Sequence, residues 1–229
     1  MAVPFLQSCN TAVDHADKSV LVTVKKTLSG AGFYGILDNG DKLYPGMMRT
    51  SYQQSNDLQR AFVYFSEMDQ TMEGYRYVAD VFSVVDITTK NILKVSSPEA
   101  DTLDSGLKIT KAWIGGGFVN VEFNVNIDRY NSKYLTVDLQ DKQLDNTPAI
   151  PEEEGYYPLV MGFKCSPEVM DGAGENVGSI ASFYMGDNYS LERLGCKGFE
   201  ISYKTITMNG EPAETKTIRI TPEQPATNL

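Results

Sequence analysis

Residues 20–45 read VLVTVKKTLSGAGFYGILDNGDKLYP, and the reading of this stretch decides the fold. Residues 20–26 are β-branched with alternation, Gly30-Ala31-Gly32 breaks the run, and Phe33-Tyr34-Gly35-Ile36-Leu37 resumes it. Asp38-Asn39-Gly40 then separates FYGIL from Lys42-Leu43-Tyr44. Asn-Gly tolerates positive φ at both central positions of a tight turn, so the spacing predicts a type I′ hairpin. Pro45 and Gly46 are expected to end the third strand. Residues 59–65 (QRAFVYF) and residues 75–87 (YRYVADVFSVVDI) alternate in the same way. Five strands in about 75 aromatic-rich residues predict a small antiparallel barrel of OB type over residues 18–96.

Working outward, residues 90–95 and 97–103 read as a short helix or an irregular connection, with Ser97-Pro98 suited to a helix start. Ser, Pro, Asp and Gly cluster over residues 97–105, which are taken as a linker. Residues 106–229 read as an antiparallel β-sandwich of six or seven strands with Greek-key-like spacing. Its clearest strand is residues 118–125 (FVNVEFNV), and its last hairpin turns at Asn209-Gly210. The fold class is therefore all-β: a five-stranded OB-type barrel followed by a sandwich.

The chain has 229 residues, 20 Lys and Arg against 30 Asp and Glu, and a net charge of −10. Residues 1–105 carry 9 basic and 13 acidic groups and residues 106–229 carry 11 and 17, so nets of −4 and −6 spread the charge over both parts. That balance argues against a nucleic-acid partner, which needs a basic face. The single histidine, His15, falls in the N-terminal segment and reads as a solvated residue. A His-rich metal site or a Ser-His-Asp triad in either domain is thereby excluded. No cofactor, metal or catalytic residue is expected.

Several local features invite chemistry. Gly115-Gly116-Gly117 after Trp113 lacks both the GxxxxGK[ST] and the GxGxxG spacing and sits between strands, so it reads as a bulge with Trp113 over exposed backbone. Asp171, Glu175 and Asn176 offer oxygen ligands without the EF-hand spacing, and Glu152-Glu153-Glu154 reads as a solvated loop. Cys165 and Cys196 are a candidate disulfide in an oxidising compartment, the alternative being two buried reduced thiols. With 13 tyrosines and 10 phenylalanines, Phe33, Tyr34, Tyr75 and Tyr77 form a candidate aromatic binding face on the barrel. The competing reading is a set of cross-strand pairs that stabilise the sheet.

Phe5-Leu6-Gln7-Ser8-Cys9 resembles the bacterial lipobox, in which the cysteine receives lipid after signal cleavage. The stretch before it is too short for a signal peptide, so a trimmed or late-started N-terminus is expected, with residues 1–17 as anchor and tether. No run approaches the 18 or so apolar residues that a span requires. Membrane attachment would be through lipid on Cys9 alone.

The lipobox-like Cys9, residues 20–45, residues 59–65 and above all residues 111–123 (KAWIGGGFVNVEF) resemble the NigD-like proteins. The resemblance implies an N-terminal OB domain, a C-terminal β-sandwich and a lipoprotein of a Gram-negative anaerobe, in the periplasm or at the cell surface and anchored to the outer membrane. It also implies a link to bacteriocin immunity. It carries over no catalytic residue, and where family members often have histidines after residue 125 this chain has Tyr134 and Phe163 in comparable stretches. The expectation is a non-enzymatic envelope lipoprotein that binds a protein or a glycan. The alternatives are a structural subunit of an outer-membrane or surface complex and a hydrolase of envelope polymers.

Overall fold

The computed structural model describes residues 16–27, 32–95, 105–127, 134–142, 155–166, 174–205 and 214–222. Cys9, His15, Glu152 to Glu154, Asp171, the Asn209-Gly210 turn and residues 97–104 of the expected linker lie outside them. By its contacts the chain forms two compact units, the first ending at Thr89 and the second starting at Lys90.

The first unit is a closed barrel of β1 (Lys18–Lys26), β2 (Phe33–Leu37), β3 (Lys42–Met48), β4 (Arg60–Glu67) and β5 (Tyr77–Asp86), in the order β1-β2-β3-β5-β4. This is OB connectivity: β3 and β5 run parallel, and β1 pairs with both β2 and β4. Alternation sends Val22, Val24, Phe33, Leu43, Ala61, Val63, Phe65, Ala79 and Val81 into one core. Gly35 sits against that core because a Cβ there would lie 2.9 Å from Val22 Cγ1.

Two expectations about the barrel need correcting. β3 runs on to Met48: Pro45 is accommodated by a register shift between Pro45 and Met47 against β5, the kind of position where a residue without an N–H is tolerated. The β2–β3 turn is a three-residue loop, closed by Leu37 N–H to Asp41 O at 2.8 Å and Gly40 N–H to Leu37 O at 2.9 Å, with Gly40 at φ 88°. That is the pattern of a bulged hairpin, not a two-residue type I′ turn.

The second unit stacks two sheets. One holds β6 (Thr88–Asn91), β12 (Glu175–Tyr184), β9 (Phe118–Ile127) and β8 (Leu107–Gly115) in that order. The other runs β14 (Thr215–Ile220), β13 (Gly198–Lys204), β11 (Tyr156–Ser166), β10 (Tyr134–Asp141) and β7 (Leu93–Lys94). Leu107, Phe123, Val137, Leu159, Phe163, Phe183, Phe199 and Ile201 are among the residues filling the space between them. The all-β barrel-plus-sandwich architecture is as the sequence reads, but the second sheet is mixed: β11 runs parallel to β13 and β10 parallel to β7. Residues 90–95, expected as a short helix or an irregular connection, instead hold the end of edge strand β6 and all of edge strand β7. Lys90 Nζ ties this entry to β10, donating to Thr136 Oγ1, Val137 O and Asp138 Oδ1 at 2.8 to 2.9 Å.

The triple glycine is a hairpin turn. Gly115 pairs with Phe118, and Gly116 and Gly117 take φ of 61° and 84°, which matches the type I′ demand for positive φ at both central residues. The bulge in this hairpin lies earlier, between Ile109 and Lys111. Trp113 carries Lys111 Nζ at 4.7 Å from its ring centroid.

Candidate binding face on the barrel

Of the four aromatics expected to share one face, strand parity divides them. Phe33 is 6% exposed and turns inward, its ring 5.1 Å from Tyr52 in an edge contact. Tyr52 is itself fixed: its hydroxyl donates to Asp86 Oδ1 at 2.7 Å, and burial with that acidic neighbour pushes its pKa up. Tyr77 is half-buried, packed against the barrel core with its ring 5.7 Å from Phe65 and with Lys18 Nζ and the Arg76 guanidinium 5.4 and 5.6 Å from its centroid. Phe33 is thus not part of an outer face, and Tyr77 is engaged by the core and two cations.

Tyr34 and Tyr75 do stand together on the outside, with ring centroids 6.1 Å apart at 87°. Tyr44, which the sequence reading passed over, completes the group at 5.4 Å from Tyr75. Tyr34 alternates with inward Phe33 and Gly35 on β2, Tyr44 follows inward Leu43 on β3, and Tyr75 comes from the β4–β5 connection. These are the strands and the loop through which OB folds hold their ligands. All three rings are half-buried, and none of their hydroxyls has a hydrogen-bond partner among the described residues. Lys25 stands directly opposite Tyr34 across the β1–β2 ladder, and Lys42 opposite Ile36.

Exposed methionines lie nearby in the chain. Met47 is 47% exposed and Met48 37%, both further along β3 from Tyr44. Met72, 42% exposed, lies in the β4–β5 connection, where its carbonyl accepts from Tyr75 N–H.

Arg60 on β4 is fully buried and donates to Thr23 Oγ1 at 3.1 Å and to Asp38 Oδ1 at 2.5 Å. Burial lowers its pKa and Asp38 works against that shift. The guanidinium thus joins β1, β4 and the β2–β3 turn.

The cysteine pair is corrected by register. Tyr156 of β11 pairs with Gly198 of β13, which places Cys196 near the start of β11, whereas Cys165 lies nine positions further along. At about 3.3 Å per residue that is about 30 Å, against the roughly 7 Å limit for a disulfide. Both remain thiols. Burial pushes the Cys196 thiol up, which makes it a poor nucleophile. Near it, Asp141 Oδ2 accepts from the hydroxyls of Tyr157 and Tyr189 at 3.0 and 3.1 Å, a buried cluster that nothing in the sequence signalled. Among the described residues no group of three His, Cys, Asp or Glu side chains is placed to hold a metal, and no helix is long and apolar enough to cross a membrane.

An OB barrel with an aromatic outer face, followed by a mixed β-sandwich, defines the chain as a two-domain all-β protein of the barrel-plus-sandwich type. Residues 21–87 match the family model of the NigD-like N-terminal OB domain. No match was found among curated proteins. Solved structures share the fold over nearly the whole chain. A protein of unknown function from Bacteroides vulgatus is 20% identical with a TM-score of 0.71, covering 93% of each chain. A NigD-like immunity protein from Bacteroides caccae is 19% identical with a TM-score of 0.66, covering 90% of this chain and 97% of the other. A predicted lipoprotein from Bacteroides fragilis is 8% identical with a TM-score of 0.67, covering 91% and 99%.

Proposed function

We propose that this protein is a non-enzymatic envelope lipoprotein, anchored through Cys9 to the outer membrane, that binds a protein partner through the outer face of its barrel. The observation that carries the reading is the group Tyr34, Tyr44 and Tyr75, in which Tyr75 makes edge contacts with both others and the hydroxyls are unspent within the described residues. Met47 and Met48 on β3 and Met72 in the β4–β5 connection add exposed, polarizable side chains to the barrel. Aromatic and methionine side chains are enriched at protein interfaces, and methionine adapts to a partner's contour. A glycan site wants a ring of hydrogen-bonding groups in place of thioethers, so a protein fits this face better than a sugar polymer. The fold shared with a NigD-like immunity protein agrees with a role in which the partner is a toxin or its target.

The test is a pull-down from envelope extract with the lipidated protein as bait, run beside Tyr44→Ser, Tyr75→Ser and Lys111→Ala variants. A protein retained by the wild type and by Lys111→Ala, and lost by both tyrosine variants, supports the reading. Retention of polysaccharide, lost in the same two variants, would move it to a glycan. A set of captured proteins identical across all four baits would sink it.

A further inference from the structure

Charge is unevenly placed on the barrel. The chain has a net charge of −10, yet β1, β2 and β3 together hold Lys18, Lys25, Lys26 and Lys42 and no Asp or Glu. The acids of the barrel strands, Glu67, Asp80 and Asp86, all belong to β4 and β5. Lys18 is spent on Glu67. Among the described residues, Lys25 and Lys42 have neither an ion pair nor a side-chain hydrogen bond. Val24 and Leu43 are core, so alternation puts Lys25 and Lys42 on the outer side of the barrel, where Tyr34 and Tyr44 also stand. Lys25 lies directly across from Tyr34, and Lys42 across from Ile36, the next outward residue of β2. Two strand spacings and two residues of rise set the lysine backbones roughly 12 Å apart. The acids nearest in the chain lie off these strands. Asp38 is taken by Arg60, Asp41 accepts from Asn39 Nδ2 in the turn, and Glu73 sits in the β4–β5 connection.

We infer that the protein surface received by this face is acidic, an inference that rests on the barrel face being a protein-binding site. The tyrosines supply an aromatic centre, and Lys25 and Lys42 supply a cationic rim that accepts carboxylates from the partner. A chain of net −10 repels an acidic partner over most of its surface, so lysines without neighbouring carboxylates give such a partner one orientation in which to dock. A basic partner would be attracted elsewhere on the chain and opposed here. A nucleic acid needs a basic track that meets many phosphates, and two lysines on an acidic chain do not make one.

Panning a random dodecapeptide library on the full chain tests this, beside a Lys25→Gln, Lys42→Gln double variant and a Tyr44→Ser, Tyr75→Ser double variant. Peptides enriched on the wild type are expected to be net acidic, to lose that bias on the lysine variant and to disappear on the tyrosine variant. A synthetic copy of the most enriched peptide should bind the lysine variant about three- to tenfold more weakly than the wild type at low salt, with the gap closing at high salt. Neutral or basic peptides that are lost on the tyrosine variant would overturn the acidic partner and leave the barrel face as a protein site. An acidic bias that survives on the lysine variant overturns it too. Peptides indifferent to the tyrosine change, or no enrichment at all, would overturn the inference together with the reading it rests on. An oligothymidylate strand that binds the full chain more tightly than the acidic peptide would replace the protein partner with a nucleic acid.

Discussion

In the sandwich, Tyr157 and Tyr189 are buried and both hydroxyls are given to one carboxylate, Asp141. On the barrel, Tyr34, Tyr44 and Tyr75 are half-exposed, touch only edge to edge, and donate to no group among the described residues. The first group is consumed by folding: the phenols hold β10, β11 and the turn after β12 together through Asp141. The second group contributes ring packing and keeps its polar ends for something else. Chemically identical side chains thus divide into structural and presented sets according to whether an acceptor waits beneath them.

The largest expected effect tests the consumed set. Asp141→Ala strands two buried phenols and should cost about 3 kcal/mol, read as a lower urea midpoint at unchanged slope. A loss below about 1 kcal/mol would show that the cluster is incidental. Next comes Gly35→Ala in the barrel, where the new methyl would meet Val22 at 2.9 Å; about 1 to 3 kcal/mol of overpacking is expected.

A third prediction concerns pH. Burial and Asp141 raise the pKa of Tyr157 and Tyr189 above the ordinary 10.0, and burial and Asp86 do the same for Tyr52. Above pH 10 the unfolded chain has released these protons while the folded chain retains them, so stability falls as pH rises past that point. Tyr157→Phe with Tyr189→Phe should flatten the fall; an unchanged slope would contradict the assignment. The smallest effects are expected on the presented set and at the thiols. Tyr75→Ser should shift stability by under about 1 kcal/mol, and reductant should leave the midpoint where it is, whereas loss of a real disulfide typically costs about 2 to 5 kcal/mol.

How much of this is legible in the sequence depends on whether parity or partnership decides it. Alternation alone locates β1, β2, β4, β5, β8 and β9, and it already implies that adjacent Phe33 and Tyr34 point to opposite faces. Phe33 and Tyr34 therefore cannot share one binding face, and Tyr44, next to inward Leu43, points outward by the same parity. Glycine is silent between a bulge and a type I′ turn, so Gly115 to Gly117 could be read either way until Gly115 was seen paired with Phe118. Residues 88–94 hold two edge strands whose pairing comes from distant partners, with no periodicity of their own. The parallel register of β11 on β13, which separates Cys165 from Cys196, and the meeting of Asp141 with Tyr157 and Tyr189 are set by topology and leave no local trace.

The most direct test of the presented set is photo-cross-linking in the envelope, with a benzophenone side chain placed in turn at Tyr75, Tyr44 and Trp113. Discrete adducts to one and the same protein from positions 75 and 44, and none from 113, are predicted. Failure of both tyrosine positions to give a protein adduct, or an equal yield from Trp113, would contradict the claim that the barrel face binds a protein.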